Sequence, residues 1–581
     1  NARDRAAKTL IASKTTPGNV KPLRAIVRCF TMAAGIAPRE HCMRIRPHVL
    51  ASHALLLLML GLTGLARGAA PYSSTTGVAD YAIVNARILD GTGNPWYRGH
   101  IVIRNGKIAA ISRGAPPQAA RTLDAKDHIV SPGFIDVHAH IEFDIFTRPT
   151  ADNYILDGVT TVVTGNCGGS ADSLKEFFTQ IDTTRTSINV ASLIGHNIVR
   201  RQVMGLANRK ATPEEQARME ALVEQGMRDG AVGLATGLIY MPGMYSSTDE
   251  IAGLARVAAK HGGLYATHMR NEGNKVADAI NEALDIGKRA QLPVQISHFK
   301  LSGNANWGRS KETVALVESA RAAGQDVTID QYPYTASSTS LSALLPDADL
   351  EGGFEATKKR LADPATRARV AAEILQNARN SRRPSFAYAA IANHAADPKL
   401  NGKNISEVNL MRGRAPTMEN EVETILDLYF AGGAQMVFHG MSEEDVRHIM
   451  KVPFNMVAAD GGVQTGRGVP HPRSYGTNAR VLGKYVREEK VISLEKAVRR
   501  MTSLPAQKFG FHDRGLLREG FAADLVIFDE KTIADRATFT DPHQYSAGIE
   551  AVVVNGELVA ESGKHTGVRS GKALRKVAAG S

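Results

Sequence analysis

The chain has 581 residues, of which 43% are hydrophobic, 22% charged and only 6% aromatic, fractions that exclude a disordered, collagen-like or multi-span membrane protein. Its formal charge of +12 is unevenly spread: residues 1–70 hold eleven Lys/Arg against two Asp/Glu, which leaves +3 for residues 71–581. The body of the chain therefore makes no electrostatic case for a nucleic-acid partner.

Residues 1–42 are expected to be a non-native or disordered extension, because a signal-like start follows at Met43 with Arg44 and Arg46. An apolar run over 49–65 and small residues at Ala66, Gly68 and Ala70 complete the pattern of a secretory signal peptide over 43–70. An uncleaved anchor is the alternative, although the run is short of the ~20 residues a spanning helix needs. The first reading implies a periplasmic or secreted protein with no stable membrane association after removal of the leader. Of the three cysteines Cys29, Cys42 and Cys167, only Cys167 then remains, so no intramolecular disulfide can form. A lone thiol in an oxidising compartment has to be buried or hold a metal.

Short strand patterns with Asn-Gly and Gly-Thr-Gly turns begin near Asp80, and the same texture returns in ADLVIFD and EAVVVNGELVAESG. They predict one small β domain assembled from 71–130 and 505–575. Between them, over 131–504, the chain alternates apolar strands with amphipathic helices. The strand candidates are GFIDVHAH, GVTTVVTGN, INVASLIG, VGLATGL, LYATHM, PVQISHF, DVTIDQYPY and NMVAADGG. Thr212-Pro213-Glu214-Glu215 predicts a helix start with a capping box, and Ser247 with Glu250 predicts another. Eight such strands predict an α/β fold, a parallel (β/α)8 TIM-type barrel. An open doubly wound sheet would want a Gly-rich phosphate loop after its first strand, and none is present. Residues 335–433 break the rhythm with helical, polar sequence and basic clusters at Lys358-Lys359-Arg360 and Arg382-Arg383. They read as a late insertion, most simply a lid over the active-site face.

The strand ends carry the chemistry. His138 and His140 sit two apart at the end of the first strand and so project together. Alone, such a pair is a weak signal. Cys167 follows the second strand in a Gly-rich exit, His268 ends the fifth, His298 the sixth, and Asp460 closes the eighth. A barrel gathers strand C-termini on one face, where imidazole and thiolate suit Zn²⁺ and leave a position open. Arg473 offers a planar fork for a substrate carboxylate, the alternative being a surface ion pair. Lys300 shares the face of His298, and Tyr332 or Tyr334 could complete the clamp or merely pack. Tyr240 is a candidate wall of the acyl pocket or a bland loop aromatic. His196 and His439 read at least as well as satisfied or exposed histidines.

The run SPGFIDVHAH, with the late Asp460 and the flanking β domain, resembles the amidohydrolase superfamily of metal-dependent hydrolases. The closer likeness is to its D-aminoacylase group, the N-acyl-D-amino-acid deacylases. It rests on TGNCG with Cys167, THMRNEG with His268, ISHFK with His298 and Lys300, DQYPY with Tyr332 and Tyr334, and ADGG followed by His471-Pro472-Arg473. The resemblance implies a small-molecule substrate whose amide is hydrolysed to a carboxylate and a free D-amino acid. It implies one tightly bound Zn²⁺ at Cys167, His268 and His298 and a weaker second position at His138 and His140. Asp460 matches the family's catalytic base, and Cys167 stands where many relatives have a carboxylated lysine. Selectivity for D over L rests on the resemblance alone. The long insertion and the reworded segment VQTGRGVPHPRSYG bear on substrate choice. A hydrolase of cyclic amides or of dipeptides on the same scaffold, and an exported binding protein with a vestigial site, are the competing readings.

Overall fold

The computed structural model describes residues 79–576. The predicted leader, with Cys29 and Cys42, lies outside them. Eight parallel strands form the barrel: β1 Phe134–Asp136, β2 Val159–Thr164, β3 Asn189–Ser192, β4 Gly233–Gly237, β5 Leu264–His268, β6 Val294–Ile296, β7 Val327–Gln331 and β8 Asn455–Val457. Every residue of β2, β4, β5 and β7 is buried, as expected for strands covered on both faces. That explains why these segments read as apolar runs with no polar alternation.

Parallel pairing runs from β1 to β3 and, through Ile194–Gly195, from β4 to β8. Closure between β8 and β1 uses the site itself. Asp460 N–H donates to the His138 carbonyl at 2.9 Å, and His140 N–H donates to Gly461 O at 2.8 Å. Asp136 reinforces this seam by accepting the backbone N–H groups of His138 at 3.0 Å and Ala459 at 3.1 Å. Outer helices follow the sequence signals. Thr212 and Glu215 form the predicted capping box on Pro213–Arg228. Ser247 caps Thr248–Lys260 in the same way, but Glu250 turns its carboxylate to His196 at 2.9 Å and to Arg200. His196 is thus a buried histidine paired through Nε2, while its Nδ1 has no hydrogen-bond partner.

The two ends of the described chain share one nine-stranded sheet. Leu525–Phe528 pairs antiparallel with Ile129–Pro132, which runs parallel to Ala79–Ile88. The insertion between β7 and β8 differs from the expectation of a helical, polar segment. It holds a three-stranded antiparallel sheet of Ala336–Ser340, Gln435–His439 and Ala389–Asn393, with helices Pro364–Asn380 and Met418–Phe430 packed on it. Ile374, Phe386, Leu341, Ile425 and Tyr429 build a core of its own. The first of its strands, ASSTS, has no apolar alternation, which is why the sequence does not announce it.

Candidate metal centre and active site

The residues of the barrel mouth stand on unusual backbone. Cys167, His298 and Asp460 adopt φ of 52°, 36° and 50°, in the left-handed region that costs a side-chain-bearing residue about 1–2 kcal/mol. Packing from the barrel holds them there. The Cys167 carbonyl lies so close to β4 that a Cβ on Gly237 would meet it at 2.0 Å.

These turns bring His138, Cys167 and His298 into one donor group, with His268 beside the sulfur but outside that group. Cys167 Sγ lies 3.3 Å from His138 Nε2 and 3.6 Å from both His268 Nδ1 and His298 Nε2. Zinc–sulfur bonds near 2.3 Å and zinc–nitrogen bonds near 2.0–2.1 Å at tetrahedral angles separate S and N by about 3.5 Å, so the set fits a cation in its midst. The protonation states agree. Burial drives His268 and His298 well below the ordinary imidazole range, leaving them neutral with a lone pair to give. Burial also pushes the Cys167 thiol up to about 11, so a thiolate here requires a cation beside it. A second group is formed by His138, His140 and Asp460. Asp460 Oδ1 is 3.2 Å from His140 Nε2 and 3.5 Å from His138 Nε2.

Asp460 is ionised in this setting. Burial opposes its charge, yet Arg473, His138 and the hydrogen bond from His140 hold the carboxyl well below the usual range. Arg473 Nη1 sits 3.0 Å from Asp460 Oδ2, and its guanidinium lies 4.5 Å over the ring of Tyr332. It is therefore buried beside the donors and not the surface ion pair that sequence left open. Tyr240 stands 4.9 Å from the His268 ring, and its hydroxyl accepts a hydrogen bond from Thr339 at 3.0 Å. Cys167, His140, Tyr240, Asp460 and Arg473 all line one cavity of about 490 Å³.

Two of the sequence-predicted clamp residues are placed otherwise. Tyr334 is surrounded by His471, Phe539 and Arg480, and its buried hydroxyl has no hydrogen-bond partner. None of these neighbours belongs to the metal-donor set, and of the two tyrosines it is Tyr332 that lies against Arg473. Lys300 stands 5.7 Å from the Tyr332 ring, but its ammonium is paired with Glu272 Oε1 at 2.5 Å, the same oxygen that faces His298 Nδ1. His439 packs on Phe539, away from the donors.

The structure adds carboxylates that the motif reading did not single out. Glu272 Oε1 is 2.9 Å from His298 Nδ1, and Oε2 is 3.8 Å from His268 Nε2. One carboxylate thus faces the outer nitrogens of both imidazoles. Asp330 accepts the His298 N–H at 2.7 Å and lies 3.4 Å from His138 Nδ1. Such partners fix the tautomer and ring orientation of metal-binding histidines. Glu272 was visible in THMRNEG, four residues beyond His268 in the loop that follows the strand, and Asp330 as a charge inside an apolar strand.

Residues 121–560 match the profile of the amidohydrolase family. The D-aminoacylase of Alcaligenes xylosoxydans xylosoxydans is 35% identical over 523 residues, covering 86% of this chain and 98% of that relative. The chain belongs to the amidohydrolase family, in its D-aminoacylase group. An N-acyl-D-glutamate deacylase of the same organism is 36% identical over 500 residues. Among solved structures, the N-acyl-D-glutamate deacylase of Bordetella bronchiseptica, complexed with zinc and a phosphonate mimic of the tetrahedral intermediate, superposes with a TM-score of 0.75 at 34% identity. It matches over 86% of this chain and 100% of its own. An L-hydantoinase of Arthrobacter aurescens, at TM-score 0.50 and 18% identity, shares the fold. For an amidohydrolase, the thiolate-and-imidazole donor set and the buried aspartate beside it are a working complement of parts.

Proposed function

We propose that this protein is a zinc-dependent N-acyl-D-amino-acid deacylase, hydrolysing a linear amide to a carboxylate and a free D-amino acid. The observation that carries the reading is the Asp460 carboxyl, held at one wall of the cavity within 3.5 Å of two imidazoles and 3.0 Å of Arg473. Cys167, His268 and His298 would hold the tight metal position, and His138 and His140, with Asp460 beside them, a weaker second one. Zinc, when bound, supplies Lewis-acid chemistry that polarises a carbonyl and acidifies water. Asp460 accepts a proton from the attacking water and returns it to the amine nitrogen, because an amide leaves poorly as an anion. His140 and Arg473 orient that carboxylate from its two oxygens. Arg473, stacked on Tyr332, is also the group that meets the substrate α-carboxylate, and Tyr240 walls the acyl side. Glu272 and Asp330 hold the imidazole rings.

A matched panel of N-acetyl-D- and N-acetyl-L-methionine and -glutamate, run with zinc-loaded and metal-stripped protein, tests this. Turnover of D substrates that vanishes on stripping and returns with zinc is expected. Equal use of both enantiomers, or no turnover of either, would overturn the reading. We also propose export to the periplasm or beyond, supported by the basic, apolar and small-residue succession of residues 43–70. N-terminal sequencing of the cell-associated and exported protein tests it, and an intact leader on protein confined to the cytoplasm would refute it.

A further inference from the structure

Arg382-Arg383 stood out in the sequence as a basic cluster with no assigned role. In the structure Arg383 is 8% exposed, so its charge is almost wholly withdrawn from water. Burial lowers its pKa, a sign that the cation is poorly compensated. Among the described residues it forms no ion pair. Its Nη1 donates to Asn304 Oδ1 at 3.0 Å and to the His439 carbonyl at 2.9 Å, both neutral acceptors. Among the described residues its Nε and Nη2 take no acceptor, the side chain's hydrogen bonds being those of Nη1. The guanidinium is nevertheless fixed. It lies 4.1 Å over the Tyr388 ring, and Nη2 is so close to the backbone that a Cβ on Gly440 would meet it at 2.4 Å. A buried charge without a counter-charge is costly, and a carboxylate brought to it recovers much of that cost.

The space beside it can admit one. Arg383 and Tyr388 line a cavity of about 720 Å³ between the insertion and the barrel loops. Glu272 and Thr339 are on its wall, and Thr339 also lines the cavity that contains Asp460 and Arg473. Lys300 is paired with Glu272 and Arg270 with Glu282 at 2.9 Å, while Arg473, beside Asp460, is the cation assigned above to the substrate α-carboxylate. Asp347 and Glu373 share the same cavity, so the field there is not generally positive and an anion would be held by direct pairing.

We propose that Arg383 forms an anion subsite for a second carboxylate on the substrate, carried beyond the scissile amide by the amino-acid side chain or by the acyl arm. This rests on the deacylase reading above. The fork of Nε and Nη2 presents two parallel N–H donors to the two carboxylate oxygens. The test compares acids with their isosteric amides on the zinc-loaded full chain. N-acetyl-D-glutamate is set against N-acetyl-D-glutamine for the side chain, and N-succinyl-D-alanine against N-succinamoyl-D-alanine for the acyl arm. The acid should exceed the amide in kcat/KM by at least about tenfold in one pair, which identifies the source, and Arg383→Gln should abolish that excess. Absence of any acid preference, or a ratio that Arg383→Gln leaves in place while lowering both members together, overturns the proposal and makes Arg383 a structural tie only. Should Arg383→Gln not fold, Arg383→Lys, which keeps charge but loses the fork, is read through the same ratio, expected to drop several-fold; an undiminished ratio again overturns it. If no N-acyl-D-amino acid is cleaved, the deacylase reading fails by itself. Calorimetric binding of the same acid and amide pairs to the native and Arg383→Gln proteins then decides the subsite, with equal affinities counting against it.

Discussion

The barrel mouth and the inserted sheet are two buried regions built on opposite principles. The mouth buries His138, His268, His298, Lys300, Asp460 and Arg473 around the half-buried Cys167, and Cys167, His298 and Asp460 stand on left-handed backbone. The insertion buries Leu341, Ile374, Phe386 and Ile425, and its polar side chains mostly cap helices or tie loops. One region spends stability to hold reactive groups in place; the other supplies it through apolar burial. Local composition thus separates where the bond is broken from where structure is made, with the buried Arg383 the insertion's exception.

That contrast can be broken most forcefully at the mouth. Asp460→Asn should retain zinc yet lose at least ~10³-fold in kcat, measured on protein whose metal content has been assayed; an active variant would place the proton transfer elsewhere. Cys167→Ala should lose the tight metal and with it turnover, and stoichiometric zinc retained after dialysis would show the thiolate to be dispensable. Glu272→Gln should weaken zinc by about 10–100-fold in a chelator competition, because one carboxylate orients two imidazoles. Unaltered affinity there would reduce Glu272 to a partner of Lys300. In the insertion, Ile425→Ala should cost about 2–5 kcal/mol of unfolding free energy in denaturant, with turnover per folded molecule little altered. The smallest effect belongs to Tyr334→Phe, which removes a buried hydroxyl with no partner and should shift stability by less than about 1 kcal/mol, with KM held. A raised KM would return Tyr334 to the substrate clamp.

The barrel was legible because its strands are short apolar runs ending in chemically distinctive residues, and each of the eight predicted segments contains a barrel strand. The donors were legible for the same reason: a polar residue directly after an apolar strand has few explanations in a closed barrel. Sequence left Tyr332 and Tyr334 open between clamp and packing, and Tyr334 packs because the chain leaves β7 after Gln331 and turns before it. Glu272 and Lys300 form a pair across two loops, and spacing within either loop is blind to the other. The inserted sheet escaped because ASSTS takes its place through cross-strand pairing with Gln435–His439 nearly a hundred positions away.

The pairing of Leu525–Phe528 with Ile129–Pro132 has a consequence for how the chain is made. The earlier strand leaves the ribosome roughly 400 residues before its neighbour, and through that interval one side of it offers unpaired amides to any other growing chain. Premature termination ahead of Leu525 would therefore be expected to yield aggregates in place of a smaller working enzyme, and holdase chaperones would be needed most during synthesis of the long middle segment.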